Sequence, residues 1–195
     1  MTNMDKTVAA LVGCLLLVGG ISQGSARNIE DKIVLSEQDR QALESASTTK
    51  AQLAYLLQHF EPILNRDDTL KGVDADENGI RDDVDEFINA LMIPENERGF
   101  YRQSSRHLQT VFDYDYSGGT EIDTEIAYAH AVKYDVVINC MIQLNLDWDD
   151  GTGSRRMVDA LILNTKRRSQ HYAYYNRALD GTAFELTEPT GDDCE

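Results

Sequence analysis

Strand alternation, glycine-rich phosphate loops and paired-cysteine motifs are all missing from this chain, and each absence removes a class of protein. No stretch alternates apolar and polar residues as a half-buried strand does, so a sheet has no support. Without Cys-x-x-Cys there is no dithiol redox motif. Without Gly-x-Ser-x-Gly or a Gly-rich phosphate loop, neither a nucleophile elbow nor a nucleotide cradle is present. His59, His107, His130 and His171 fall on different predicted helices with no His-Glu-x-x-His, which leaves a zinc hydrolase without ligands. Ser47-Thr-Thr-Lys50 matches the Ser-x-x-Lys of penicillin-binding enzymes, but Ser-Asp-Asn and Lys-Thr-Gly are absent, so the match reads as chance. Positive charge is scarce: 18 Lys and Arg stand against 34 Asp and Glu, for a net charge of −16. That excess disfavours nucleic acid and anionic lipid as partners and suits a soluble protein in a calcium-bearing compartment, although solubility alone could explain it.

The only long apolar run is Thr7 to Ile21, followed by small residues ending Gly24-Ser25-Ala26. It reads as a secretory signal peptide cut after Ala26, being short of the ~20 residues of a membrane span. Two alternatives remain at this level. One is an uncleaved anchor; the other is a lipoprotein attached at Cys14, since Leu11-Val12-Gly13-Cys14 looks like a lipobox. The expected organisation is a signal peptide over 1–26, a helical domain over 27–186 and a polar tail over 187–195. Export to a bacterial periplasm or the extracellular space follows, with no membrane contact in the mature form unless Cys14 is lipidated. Cys140 and Cys194 remain after cleavage, and an even pair in an exported chain predicts a disulfide tying the tail to a helix. The alternative is two unrelated thiols, with Cys140 a small buried residue.

Helical punctuation runs through the rest. Ser36-Glu-Gln-Asp39 resembles a capping box, and Leu53, Leu56, Leu57, Phe60 and Leu64 then recur at helical spacing until Pro62 ends the helix near His59. Val84, Phe87, Ile88 and Leu91 give a second helix one apolar face, and Pro94 stops it and starts another. That third helix is expected from Glu95 to Phe112, with Tyr101, Leu108, Val111 and Phe112 inward. A fourth is expected from Thr120 to Leu146; it is apolar nearly all round after Val136, which makes it the candidate central helix. A fifth runs from Ser154 to Leu179, with Val158, Leu161, Ile162, Tyr172 and Leu179 inward and Gly181 as its C-cap. The expected class is all-α, a compact bundle of about five helices.

One stretch combines residue type, spacing and backbone demand. Asp74 and Asp76 offer carboxylates at positions 1 and 3 of a twelve-residue loop, Asn78 an amide oxygen at 5, and Ile80 a backbone carbonyl at 7. Asp82 and Asp85 complete the set at 9 and 12, so every ligand is oxygen, as a hard divalent cation requires. Gly79 at position 6 permits the sharp turn. These residues resemble the thrombospondin type-3 and dockerin calcium loops, the extracellular relatives of the EF-hand, with the pattern D-x-D-x-[DN]-G-x-x-D-x-x-[DE]. The resemblance covers only residues 74–85 and implies Ca2+ as cofactor, with no implied activity. Asp85 is shorter than the usual glutamate, which implies a weaker site, and Arg81 stands where an aliphatic residue is usual. The alternative is an acidic turn capping the helix that starts near Asp82.

Two other acidic stretches are weaker. Asp113-Tyr-Asp-Tyr-Ser-Gly118 repeats the opening of the pattern, but Thr124 at position 12 cannot close it, so an interhelical turn with two exposed tyrosines is expected. Asp147, Asp149 and Asp150 flank Trp148 with the glycine out of register. Lys166, Arg167 and Arg168, with Arg155, Arg156 and Arg177, are expected to answer the protein's own carboxylates rather than an anionic ligand. Two functions remain open. One is an exported, non-enzymatic calcium-binding protein whose ion rigidifies a domain that meets another envelope or secreted component. The other is a calcium-stabilised periplasmic hydrolase with an acidic site near Trp148. A pocket with convergent carboxylates or a buried arginine would favour the second.

Overall fold

A computed structural model of the chain describes residues 32–195; the expected signal peptide and Cys14 lie outside the described residues. Among the described residues the regular structure is helical, with no strand, as the periodicity predicts. Eight α-helices are found among them: α1 (Glu37–Ser45), α2 (Thr49–Phe60), α3 (Asp82–Asn89), α4 (Glu95–Thr110), α5 (Glu121–Val132), α6 (Asp135–Gln143), α7 (Trp148–Ile162) and α8 (Lys166–Ala178). None of the helices in this described part is long and apolar enough to cross a membrane.

Three of the five expected helices are each broken in two, and the breaks have local causes. Between α1 and α2, Ala46 is extended and Thr48 accepts a hydrogen bond from Ala51 N at 3.1 Å. A hydroxyl offered to the backbone there competes with continuing the helix. Between α5 and α6 the chain tightens: Lys133 N, Tyr134 N and Val137 N each bond the carbonyl three residues back. That i→i−3 stretch redirects the axis. The expected fifth helix starts early because Asp147 accepts from Asp150 N at 2.9 Å, and it breaks where Thr165 caps α8 through Arg168 N.

The central helix is α4, not the apolar run of α6. Of the apolar residues of α6 only Val137, Cys140 and Met141 are buried, while Val136 and Ile142 are 43% and 50% exposed. Helix α4 packs against α3, α6 and α7, burying Phe100, Tyr101 and Leu108 together with Gln103, Ser104, Ser105 and Gln109. Those polar residues hide its burial from any hydrophobic pattern. Against it lie the fully buried Val84, Phe87 and Ile88 of α3, and Leu53 and Leu56 of α2 pack on α7 in the same core. Each such side chain contributes roughly 1.5–3 kcal/mol on burial. Asp150 of α7 accepts from Thr49 N and Lys50 N, both at 2.9 Å, and so binds the start of α2 to α7.

The tail is docked rather than merely tethered. Cys140 and Cys194 are placed as a disulfide pair, with Cα atoms 4.8 Å apart. Thr187 N donates to Asp135 at 2.6 Å, Gln103 Nε2 donates to Asp193 O at 2.7 Å, and Arg106 pairs with Glu195. Closing this loop contributes about 4 kcal/mol by chain entropy. In protein recovered under oxidising conditions, neither cysteine should alkylate in denaturant without reductant. Two free thiols by mass analysis would remove the pairing.

His107 of α4 packs its ring 4.2 Å from His130 and 5.1 Å from Tyr134, and burial pushes its pKa down to about 3. Its folded pKa lies below the ordinary 6.5, so its contribution to stability is present above 6.5 and is lost as pH falls toward about 3. Asp159, raised by burial to about 6, acts in the opposite sense: its contribution is largest at low pH and is lost as pH rises through about 6. His107→Phe is therefore expected to flatten or reverse the fall of melting temperature on acidification below pH 6.5. An unchanged slope by calorimetry would show that His107 does not carry it.

Candidate metal centre

The acidic loop lies between the irregular 65–73 connection and α3. Its base is closed by Asp82 N donating to Val73 O at 2.9 Å. Glu77 and Gly79 are left-handed, with φ of 56° and 83°; a Cβ at Gly79 would also come 3.2 Å from Arg106 Cγ. Glycine is needed there for conformation and for space.

Backbone N–H groups and the Asn78 side-chain amide orient the carboxylates inward. Asp74 accepts from Asn78 N at 3.0 Å and Gly79 N at 2.9 Å, Asp76 accepts from Asn78 Nδ2 at 3.0 Å, and Asp82 accepts from Ala75 N at 2.9 Å. As a result, one carboxylate oxygen from each of Asp74, Asp76 and Asp82 lies within 4.8 Å of the others. Two oxygens on opposite sides of a calcium ion are separated by about 4.8 Å, twice a typical Ca–O distance. Asn78 Oδ1 accepts from Ile80 N at 2.8 Å, and the Ile80 side chain is fully buried, anchoring the loop to the core.

Asp85 stands apart from that trio. Its Oδ1 accepts from Arg102 Nε at 3.2 Å and its Oδ2 from Asn89 Nδ2 at 3.1 Å, with Asn78 Nδ2 at 3.5 Å. It touches the loop through Asn78 and is otherwise paired with α4. The N-cap of α3 is Arg81, which makes no side-chain cap bond, while Asp82, Asp83 and Asp85 occupy the first turn. The acidic residues thus favour the helix dipole without a side-chain cap.

The counter-charges differ from those the sequence suggests. Arg81, the only cation between Asp74 and Glu86, is turned wholly into the core. Its Nε donates to Asp83 at 2.5 Å, and Nη2 and Nη1 donate to Leu161 O at 2.7 Å and Ile162 O at 3.1 Å. Positive charge comes instead from Arg102 and Arg106 of α4. Burial, then Arg102, lowers the Arg106 pKa. The signal was legible: Arg98, Arg102 and Arg106 recur at i, i+4 and form one basic stripe.

Other candidate sites resolve into structure. In the 113–118 turn, Asp113 pairs with Lys71 and Asp115 caps its own turn through Ser117 N at 2.9 Å. Its tyrosines are not exposed as expected: Tyr116 is buried against Tyr175, and half-buried Tyr114 donates to Asp123 at 2.7 Å, because aromatic area is better packed than solvated. Around Trp148, Asp147 and Asp150 use their oxygens on helix ends. Of the basic group, Arg168 is fully buried and bonds the carbonyls of Asn65, Thr69 and Leu70. It thus answers backbone carbonyls rather than the expected carboxylates; burial, then Arg81, lowers its pKa to about 10.

No family model matches this chain, and no curated protein or solved structure does either.

Removing the Arg81 charge while Asp83 stays buried leaves an unpaired carboxylate, a loss of about 3–5 kcal/mol. Arg81→Met should destabilise by that order in denaturant unfolding, and adding Asp83→Asn should recover part of it. A loss below about 1 kcal/mol would deny Arg81 this role.

Proposed function

We propose that this is an exported calcium-binding protein of the thrombospondin type-3 and dockerin loop type, non-enzymatic, in which the ion orders the loop and fixes the start of α3. The observation that carries the reading is the convergence of Asp74, Asp76 and Asp82 oxygens within 4.8 Å, on a loop whose own N–H groups aim them. Asn78 and the Ile80 carbonyl would add neutral oxygens to the site, and Asp85 would add a further carboxylate if it gave up Arg102. Six acidic residues other than Asp83 crowd Asp74 to Glu86 after Arg81 has left for the core, and a divalent cation relieves their repulsion. Export rests on the apolar leader ending at Ala26, and the partner is an envelope or secreted component met by the ordered domain.

A Kd near ten micromolar at about 1 mM calcium would stabilise the native state by about 2.7 kcal/mol. Magnesium should substitute poorly, since it demands a smaller octahedral shell. Asp74→Ala should abolish most of the calcium-dependent rise in melting temperature, and Asp113→Ala should leave it unchanged. Arg102→Gln, which releases Asp85, should tighten binding. If chelator-stripped protein melts identically with and without millimolar calcium and shows no binding heat, the loop is only an acidic turn.

A further inference from the structure

A second concavity, independent of the acidic loop, opens between α4, α5, α7 and α8 with a volume of about 200 Å³. Its walls are apolar and aromatic, formed by Leu108, Val111, Ala131, Tyr134, Tyr172 and Tyr175, and Phe184 stands at 45% exposure on its rim. Pockets for drug-sized ligands run to roughly 300–1,000 Å³, so this one suits a single substituted ring.

Polar groups converge on that apolar lining. Arg155 and Asp159 face the cavity as an i, i+4 ion pair, their side chains only 22% and 18% exposed. The Arg155 guanidinium also lies 5.5 Å over the Tyr134 ring, which holds its plane. Ser104, 2% exposed, belongs to the same wall, its hydroxyl set beside the Tyr134 phenol and closed off from solvent. Tyr175 is already engaged by His130 Nδ1 at 3.3 Å, and His107, kept neutral by burial, adds no charge.

The charges of the lining select the ligand. An anion would meet Asp159, a cation would meet Arg155, and either would lose hydration in an aromatic pocket without a free counter-ion. A neutral group with adjacent acceptor and donor can bond both members of the pair. We propose that this cavity binds a small neutral planar molecule, one ring bearing an amide or lactam edge, with the carbonyl toward Arg155 and the N–H toward Asp159. The ring stacks among Tyr134 and Tyr172, and binding does not require calcium.

The test uses ligand-observed NMR on the folded protein with three matched probes: benzamide, benzoate and benzylamine. A single ring at ordinary ligand efficiency reaches a Kd of about 1 mM, so benzamide should show saturation transfer and the two charged probes at least tenfold less. Ala131→Phe, which fills the cavity, should abolish the benzamide signal while the helical circular dichroism is retained. Asp159→Asn leaves Arg155 unopposed and should turn the preference to benzoate, a change of selectivity that a merely structural role would not produce. The proposal is overturned by absent saturation transfer from benzamide, by equal binding of all three probes, or by an unaltered preference in Asp159→Asn.

Discussion

A guanidinium buried to zero exposure is tolerable only if its donors are met, and Arg81 meets that condition with three groups from two parts of the chain. Asp83 supplies the opposite charge two residues on, and in turn accepts from Asn65 N at 2.6 Å. The carbonyls of Leu161 and Ile162 belong to the last turn of α7, where helix geometry leaves them without internal partners and the dipole is negative. One side chain thus completes a helix end and pins the loop to the bundle. Gly72 follows from it, because a Cβ there would lie 2.2 Å from Arg81 Cδ. Arg168 repeats the device from α8, so the irregular 65–73 connection is held by side-chain donors rather than by a backbone ladder.

Withdrawal of Arg81 leaves the acidic loop to the field of α4. Arg102 meets Asp85, and the stem of Arg106 packs under Gly79 while its head pairs with Glu195 of the tail. Gln103, on the same helix, holds the Asp193 carbonyl beside the cysteine pair. Loop and tail are therefore neighbours through two adjacent turns of one helix. Farther along, Ser104, His107 and Leu108 of α4 form one wall of the aromatic cavity. A helix with three different duties cannot be apolar on all its buried faces, which accounts for its polar interior composition.

Much of this was legible before any coordinates. The helical class followed from periodicity, and the helix end before Pro62, the start of α4 at Pro94 and the caps at Ser36 and Thr120 appear at the expected residues, whereas α3 ends at Asn89, short of Pro94. The acidic trio was legible because its ligand spacing is local and Gly79 has a local reason to be glycine. The breaks inside three helices were not, since a threonine such as Thr48 or Thr165 is tolerated within a helix and does not by its type alone announce a cap. The aromatic cavity was invisible for a related reason: its Arg155, Asp159, Ser104 and Tyr134 come from two helices and the turn between α5 and α6.

Sequence alone determined what depends on near neighbours: the helical period, the cap chemistry, the cysteine count and a twelve-residue array of oxygen donors. Tertiary structure decided what depends on distant ones. It sent Arg81 inward, because the orphan carbonyls of α7 and the carboxylate of Asp83 outweigh hydration of its charge. It made α4 rather than α6 the centre, because α3, α6 and α7 pack on it and the docked tail takes Gln103 Nε2 on its Asp193 carbonyl, and no local pattern announces those contacts. Donor type is written along the chain, but burial is decided between segments, and it settles which cations remain near the acidic loop.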